Sequence, residues 1–290
     1  MGQPQKLEAL ERADEEPTES RRHRPVSEIR FVEATLPVSL VASGSLTEES
    51  RAWLWAVVHA TLFAPSEELE GWSSGVRGRP AVRRVWASFP IHGDPDRIPD
   101  DAASVLEDWF LLVEPCDVFT FIEGVHESLE PALRLRFAAS INIVLERGKS
   151  DHRFVQGRLM PITSRADITA LERALAACMR ARWSGPESHL RDALARLAHK
   201  PEPDARGAVQ EAIRAVERAA TLLTKEEHFD LEDALDALEA EGHVERGLRS
   251  AYSGLFAFVS TTTRRPTTDD ARIILVMCAG LVSHLAARTP

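Results

Sequence analysis

Apolar residues return every three or four positions through most of the chain from Glu48 to Leu285, and this period points to helices. The stretch SLTEESRAWLWAVVHATLF sets Thr47 as an N-cap, acids in the first turn, and Leu54, Val57, Val58 and Leu62 on one face. Helical spacing resumes at 102–113, 116–129 and 131–147, the last carrying Leu133, Phe137, Ile141, Val144 and Leu145. Further helices are predicted over 167–182, started by Thr163 or Ser164, and over 186–198. Beyond these lie four more, at 206–224, 229–240, 244–259 and about 269–287.

One segment breaks the period. In HRFVQGRLMPI (152–162), Phe154 and Val155 precede Gly157, and Leu159, Met160 and Ile162 follow it. The pattern predicts a small β-hairpin near 152–163 pivoting on Gln156-Gly157. Residues 65–100 are punctuated by Pro65, Gly71, Gly75, Gly78, Pro80, Pro90, Gly93, Pro95 and Pro99, which predicts loop with short helical insertions. The fold class is therefore mainly α.

Three units are expected along the chain. Residues 1–26 carry almost no large apolar residue after Leu10 and read as a disordered tail. Residues 27–200 form a helical N-terminal domain containing the hairpin. The stretch HKPEPDARG (199–207) is the linker candidate, and 201–290 hold four helices with short connections, for which an antiparallel bundle is the default.

Composition narrows the function. A net charge of −10 argues against a general nucleic-acid coat, so any polyanion site must be a local basic patch. Cys116, Cys178 and Cys278 lie far apart and suit buried thiols in a reducing compartment. The polar N-terminus lacks the apolar core of a signal peptide, and no stretch approaches about 20 apolar residues. A cytoplasmic protein with no membrane contact is expected.

Most chemical motifs are excluded. Gly148-Lys149-Ser150 lacks the glycine five residues upstream that a phosphate loop requires, because Ile143 stands there. There is no HExxH and no CxxC, and the ten histidines show no metal-ligand spacing, so neither a metal nor a cofactor is expected. Trp53, Trp55 and Trp109 sit among aliphatic residues and suit packing better than base stacking. The acids Asp230, Glu232, Asp233 and Asp236 read as one solvated helix face.

The stretch VSTTTRRPTTDDAR (259–272) is the most pointed remaining feature. Arg264 and Arg265 precede the last helix, where Thr267 or Thr268 can cap and Asp269 and Asp270 favour the positive helix end. A polar turn, a phosphate contact and a catalytic role are all open for this pair.

Several blocks resemble AbiJ-type abortive-infection proteins that carry a C-terminal HEPN domain. They are FAASINIVLERGKSDHRFVQGRLMPITSRADITALERAL (137–175), DARGAVQEAIRAVERAATLLT (204–224) with LEDALDALE (231–239), and DARIILVMCAGLVSHL (270–285). LWAVVHATLF (54–63) is similar in a weaker way.

The resemblance implies an all-α, HEPN-like bundle in the C-terminal part, dimeric through that bundle. It further implies a defence or toxin–antitoxin setting, possible RNA and protein partners, and often a metal-independent ribonuclease. The catalytic signature of such ribonucleases is an arginine separated by four to six residues from a histidine.

Here the junction reads Thr263-Arg264-Arg265-Pro266, with a proline where the histidine would stand and no histidine until His284. Arg147–His152 and Arg182–His189 have the spacing but lie outside the HEPN-like part. The resemblance makes Arg264, Arg265 and Glu217 the candidate catalytic residues, and Arg214, Arg218 and Arg265 the candidate RNA-binding strip. The alternative for Arg214 and Arg218 is pairing with Glu211 and Glu217.

Three functions stand open on this basis. They are a ribonuclease-derived defence protein with a degenerate Arg–His motif, an active ribonuclease with a non-standard partner, and a non-enzymatic helical dimer that regulates a defence partner.

Overall fold

The computed structural model describes residues 46–63, 80–89, 97–227, 230–261 and 265–289. They form eleven helices and one two-stranded hairpin, so the chain is mainly α. The first five helices are α1 (Glu48–Leu62), α2 (Pro80–Ser88), α3 (Ala102–Leu112), α4 (Pro115–Ser128) and α5 (Pro131–Arg147). The hairpin strands β1 (Arg153–Val155) and β2 (Arg158–Met160) follow. Then come α6 (Arg165–Ala181), α7 (Ser184–Leu197), α8 (Ala205–Thr224), α9 (Leu231–Ala240), α10 (Arg246–Thr261) and α11 (Thr268–Ala286). The expected tail at 1–26 lies outside the described residues.

Local chemistry explains where the helices start. Thr47, Ser164, Asp204 and Asp230 each cap a helix by accepting a hydrogen bond from a first-turn backbone amide. Pro115 and Pro131 occupy the first helical position of α4 and α5, where a missing N–H costs nothing. The hairpin turns on Gln156 (φ 51°) and Gly157 (φ 82°), two consecutive left-handed residues as a type I′ turn requires. In the Pro- and Gly-rich interval, α2 is a nine-residue helix with Val82, Val85 and Trp86 buried.

The helices enclose two apolar cores. The first is built by α1–α5 around Leu54, Trp55, Phe110, Phe121, Ile122 and Ile141. The second takes in α6–α11 around Leu171, Leu194, Val216, Leu235, Leu275 and Val282. The hairpin lies between them. Phe154 pairs with Leu159 across the strands, and both face the first core. Val155 and Met160, on the other face of the ribbon, join the second. Strand alternation thus lets one short ribbon serve two cores.

Glu123 reinforces this junction from α4. Glu123 is 6% exposed, and its carboxylate accepts hydrogen bonds from the Leu159 amide at 2.6 Å and from Lys200 Nζ at 2.6 Å. Lys200 belongs to the α7–α8 connection, so that linker joins two helices of one core and is itself anchored to α4.

Contacts fix the helix directions in the second core. Arg196 meets Asp204, His189 meets Glu211, and Gly185 lies against Arg218, so α7 and α8 are antiparallel. Arg249 and Ser253 of α10 reach Asp236 and Glu232 of α9 in the same antiparallel sense. In contrast, Arg272 meets Asp167 while Ala286 and Ala181 line one cavity, so α6 and α11 run parallel.

Trp55 is buried, but Trp53 is 41% exposed and lies outside the core expected for it. They are two residues apart on α1, so they point about 200° away from each other around the helix.

Candidate functional site on the α7–α8 face

The expected residues divide into two places. Arg214, Glu217 and Arg218 lie on α8. Arg265 is exposed just before α11, and Arg264 lies outside the described residues. Among the described residues, no hydrogen bond or ion pair joins Arg265 to the α8 group.

The start of α11 explains the setting of Arg265. The Thr267 side chain accepts from the Asp270 amide, and the Asp270 carboxylate accepts from the Thr267 amide at 2.9 Å, a closed capping box. The junction is built as a helix start. Unbroken α11 also sets His284 about 24 Å along the axis from Thr268, at 1.5 Å per residue, away from Arg265.

On α8, Arg214 Nη1 lies 3.1 Å from Glu211 Oε1, one turn back, which is the pairing alternative for this arginine. Arg218 is exposed and runs past Gly185 of α7. Glu217 is half-buried. Burial is the main reason its carboxyl pKa sits above the ordinary value. Asp230 pushes the same way, while Arg214 and His189 pull against it.

The structure also assembles residues that sequence reasoning did not join. His189 Nδ1 of α7 lies 2.8 Å from Glu211 Oε2 of α8, and Glu211 is 6% exposed. The other oxygen of Glu211 faces Arg214 at 3.1 Å and Arg196 at 3.7 Å. Asp192, one turn after His189, completes a group whose ligand atoms lie within 4.8 Å of one another. Below them, Asp204 caps the Gly207 amide and pairs with Arg196 at 2.7 Å. These two bonds, the amide first, hold its carboxyl below the usual range.

A carboxylate buried behind a partly exposed imidazole fixes the orientation of the ring, with Nδ1 turned toward Glu211. The signal in the sequence was slight. His189 and Asp192 share a helix face at i, i+3, but Glu211 is 22 residues away and meets them only through the α7–α8 register.

The Arg182–His189 spacing is not assembled into a pair. Arg182 ends α6 in the left-handed conformation (φ 58°) and lines a cavity of about 350 Å³ with Arg180, Ala286 and Thr289, while His189 faces Glu211. The chain also holds one Gly-x-Ser-x-Gly spacing, Gly71 to Gly75, outside the described residues. The nucleophile elbow of that form needs a strand-to-helix turn, and the described strands are those of the hairpin alone.

Cys178 and Cys278 are buried free thiols, as expected, and Cys116 is partly exposed. Burial pushes the Cys178 thiol up to about 11 and raises Cys278 further. Among the described residues no helix is long and apolar enough to cross a membrane.

Residues 37–177 match the family model of AbiJ N-terminal domain 4. That match covers the first core, the hairpin and most of α6. No curated protein and no solved structure matches the chain. That domain occupies a little under half of the chain, and the match supports an AbiJ-type abortive-infection protein.

Proposed function

We propose that this bacterial defence protein acts on RNA through its C-terminal helices, a HEPN-like unit that has kept basic residues and lost the Arg–His catalytic pair. One observation carries the reading. Arg265 stands exposed at the head of α11, next to Pro266 and a closed Thr267–Asp270 capping box, and the next histidine along the chain is His284. An arginine there can hold a phosphate, but the junction places a proline where the imidazole of the Arg–His pair would stand. Arg214 and Arg218 present further guanidinium groups on α8. Dimerisation through the same helices would double this surface, and a protein from the defence locus is the expected regulator.

The test uses the purified full chain with total RNA and with tRNA in the absence of metal. Binding without cleavage is expected. In Arg214→Ala, Arg218→Ala and Arg265→Ala it should weaken, with the salt slope falling by about one for each phosphate no longer neutralised. Cleavage that disappears in the Arg264→Ala/Arg265→Ala double variant would establish an active ribonuclease instead. Failure to bind either RNA would leave the non-enzymatic dimer. Light scattering should give about twice the chain mass of 32.1 kDa.

A further inference from the structure

We infer that His189, Asp192 and Glu211 form a binding site for one divalent transition-metal ion, zinc in the first instance, joining α7 to α8. Their ligand atoms already lie within 4.8 Å of one another. Around a tetrahedral zinc ion with bonds near 2.0–2.2 Å, neighbouring donors are about 3.3 Å apart. His189 Nδ1 and Glu211 Oε2, now at 2.8 Å, need to open only slightly. Asp192 is exposed, so its side chain is free to close the remaining gap.

The surroundings of Glu211 select the ligating oxygen. Oε1 faces Arg214 and Arg196, whereas Oε2 faces the imidazole. A carboxylate held from behind in this way is a pre-oriented ligand. The two arginines oppose a cation, but Asp192, Glu211 and the nearby Glu217 outnumber them by one negative charge. One imidazole nitrogen with two carboxylate oxygens suits a borderline ion better than a soft one. Three protein ligands leave a fourth position on the exposed side for water.

This inference is independent of RNA, so its test contains none. The metal-free full chain is titrated with Zn²⁺ by calorimetry and with Co²⁺ by visible absorption. One equivalent should bind, and zinc should raise the thermal midpoint. In Asp192→Asn and His189→Ala the affinity for zinc should fall about tenfold or more, and the intensity of the Co²⁺ band should fall with it. Asp192→Asn alters an exposed side chain, so its midpoint in chelator should match that of the unaltered chain. Failure of the unaltered chain to bind one equivalent would overturn the site. Undiminished binding in both variants would do the same, because the ion would then lie elsewhere.

Discussion

Glu217 shows how a single residue's environment sets its chemistry. Its position on α8 was readable from the helical period, but its half-burial was not, because exposure depends on what packs over α8. Burial raises its folded-state pKa above the ordinary value near 4.3. Between those two values the native chain binds more protons than the unfolded chain, so stability falls as pH rises through that window. Glu217→Gln removes the penalty. Its thermal midpoint should exceed that of the parent at pH 8, with the difference vanishing below about pH 4. A lower midpoint at pH 8 would mean that attraction to Arg214 and His189 outweighs burial.

Helix and hairpin ends were the most legible elements, because their signals are local. Thr47 and Ser164 cap where the sequence placed them, and Gln156-Gly157 forms the turn expected between Val155 and Arg158. Thr267 does the same for α11. Thr267→Ala opens the capping box and should cost about 1 kcal/mol in denaturant unfolding. A cost near zero would show that Asp269 and Asp270 hold the helix start by charge alone. The helix α2 lies inside an interval that the prolines and glycines marked mainly as loop. Its buried Val82, Val85 and Trp86 show tertiary packing outweighing a composition signal.

At the scale of the molecule, one buried carboxylate ties the two cores. Glu123 accepts from the Leu159 amide and from Lys200, so α4, β2 and the α7–α8 connection meet on one side chain. Glu123→Ala leaves a part-buried ammonium and a backbone amide without their acceptor. It should cost about 3 kcal/mol in total stability. Calorimetry of this variant should resolve two thermal transitions, one for each core. A single transition at the parent's midpoint would show that the hairpin's apolar faces alone couple them.

Ten of the eleven described helices, the hairpin, the capped ends and the resemblance to AbiJ-type proteins were present in the sequence itself. They depend on spacing and on residues only a few positions apart. The pairing of His189 with Glu211, the bridge made by Glu123 and the two-sided use of the hairpin were not. The first two bring together residues 22 to 77 positions apart, through packing between elements that many different sequences can adopt. Apolar periodicity says which face of a helix turns inward, but not which neighbour it meets. In this protein the polar groups that meet across α7 and α8 were therefore decided by tertiary packing.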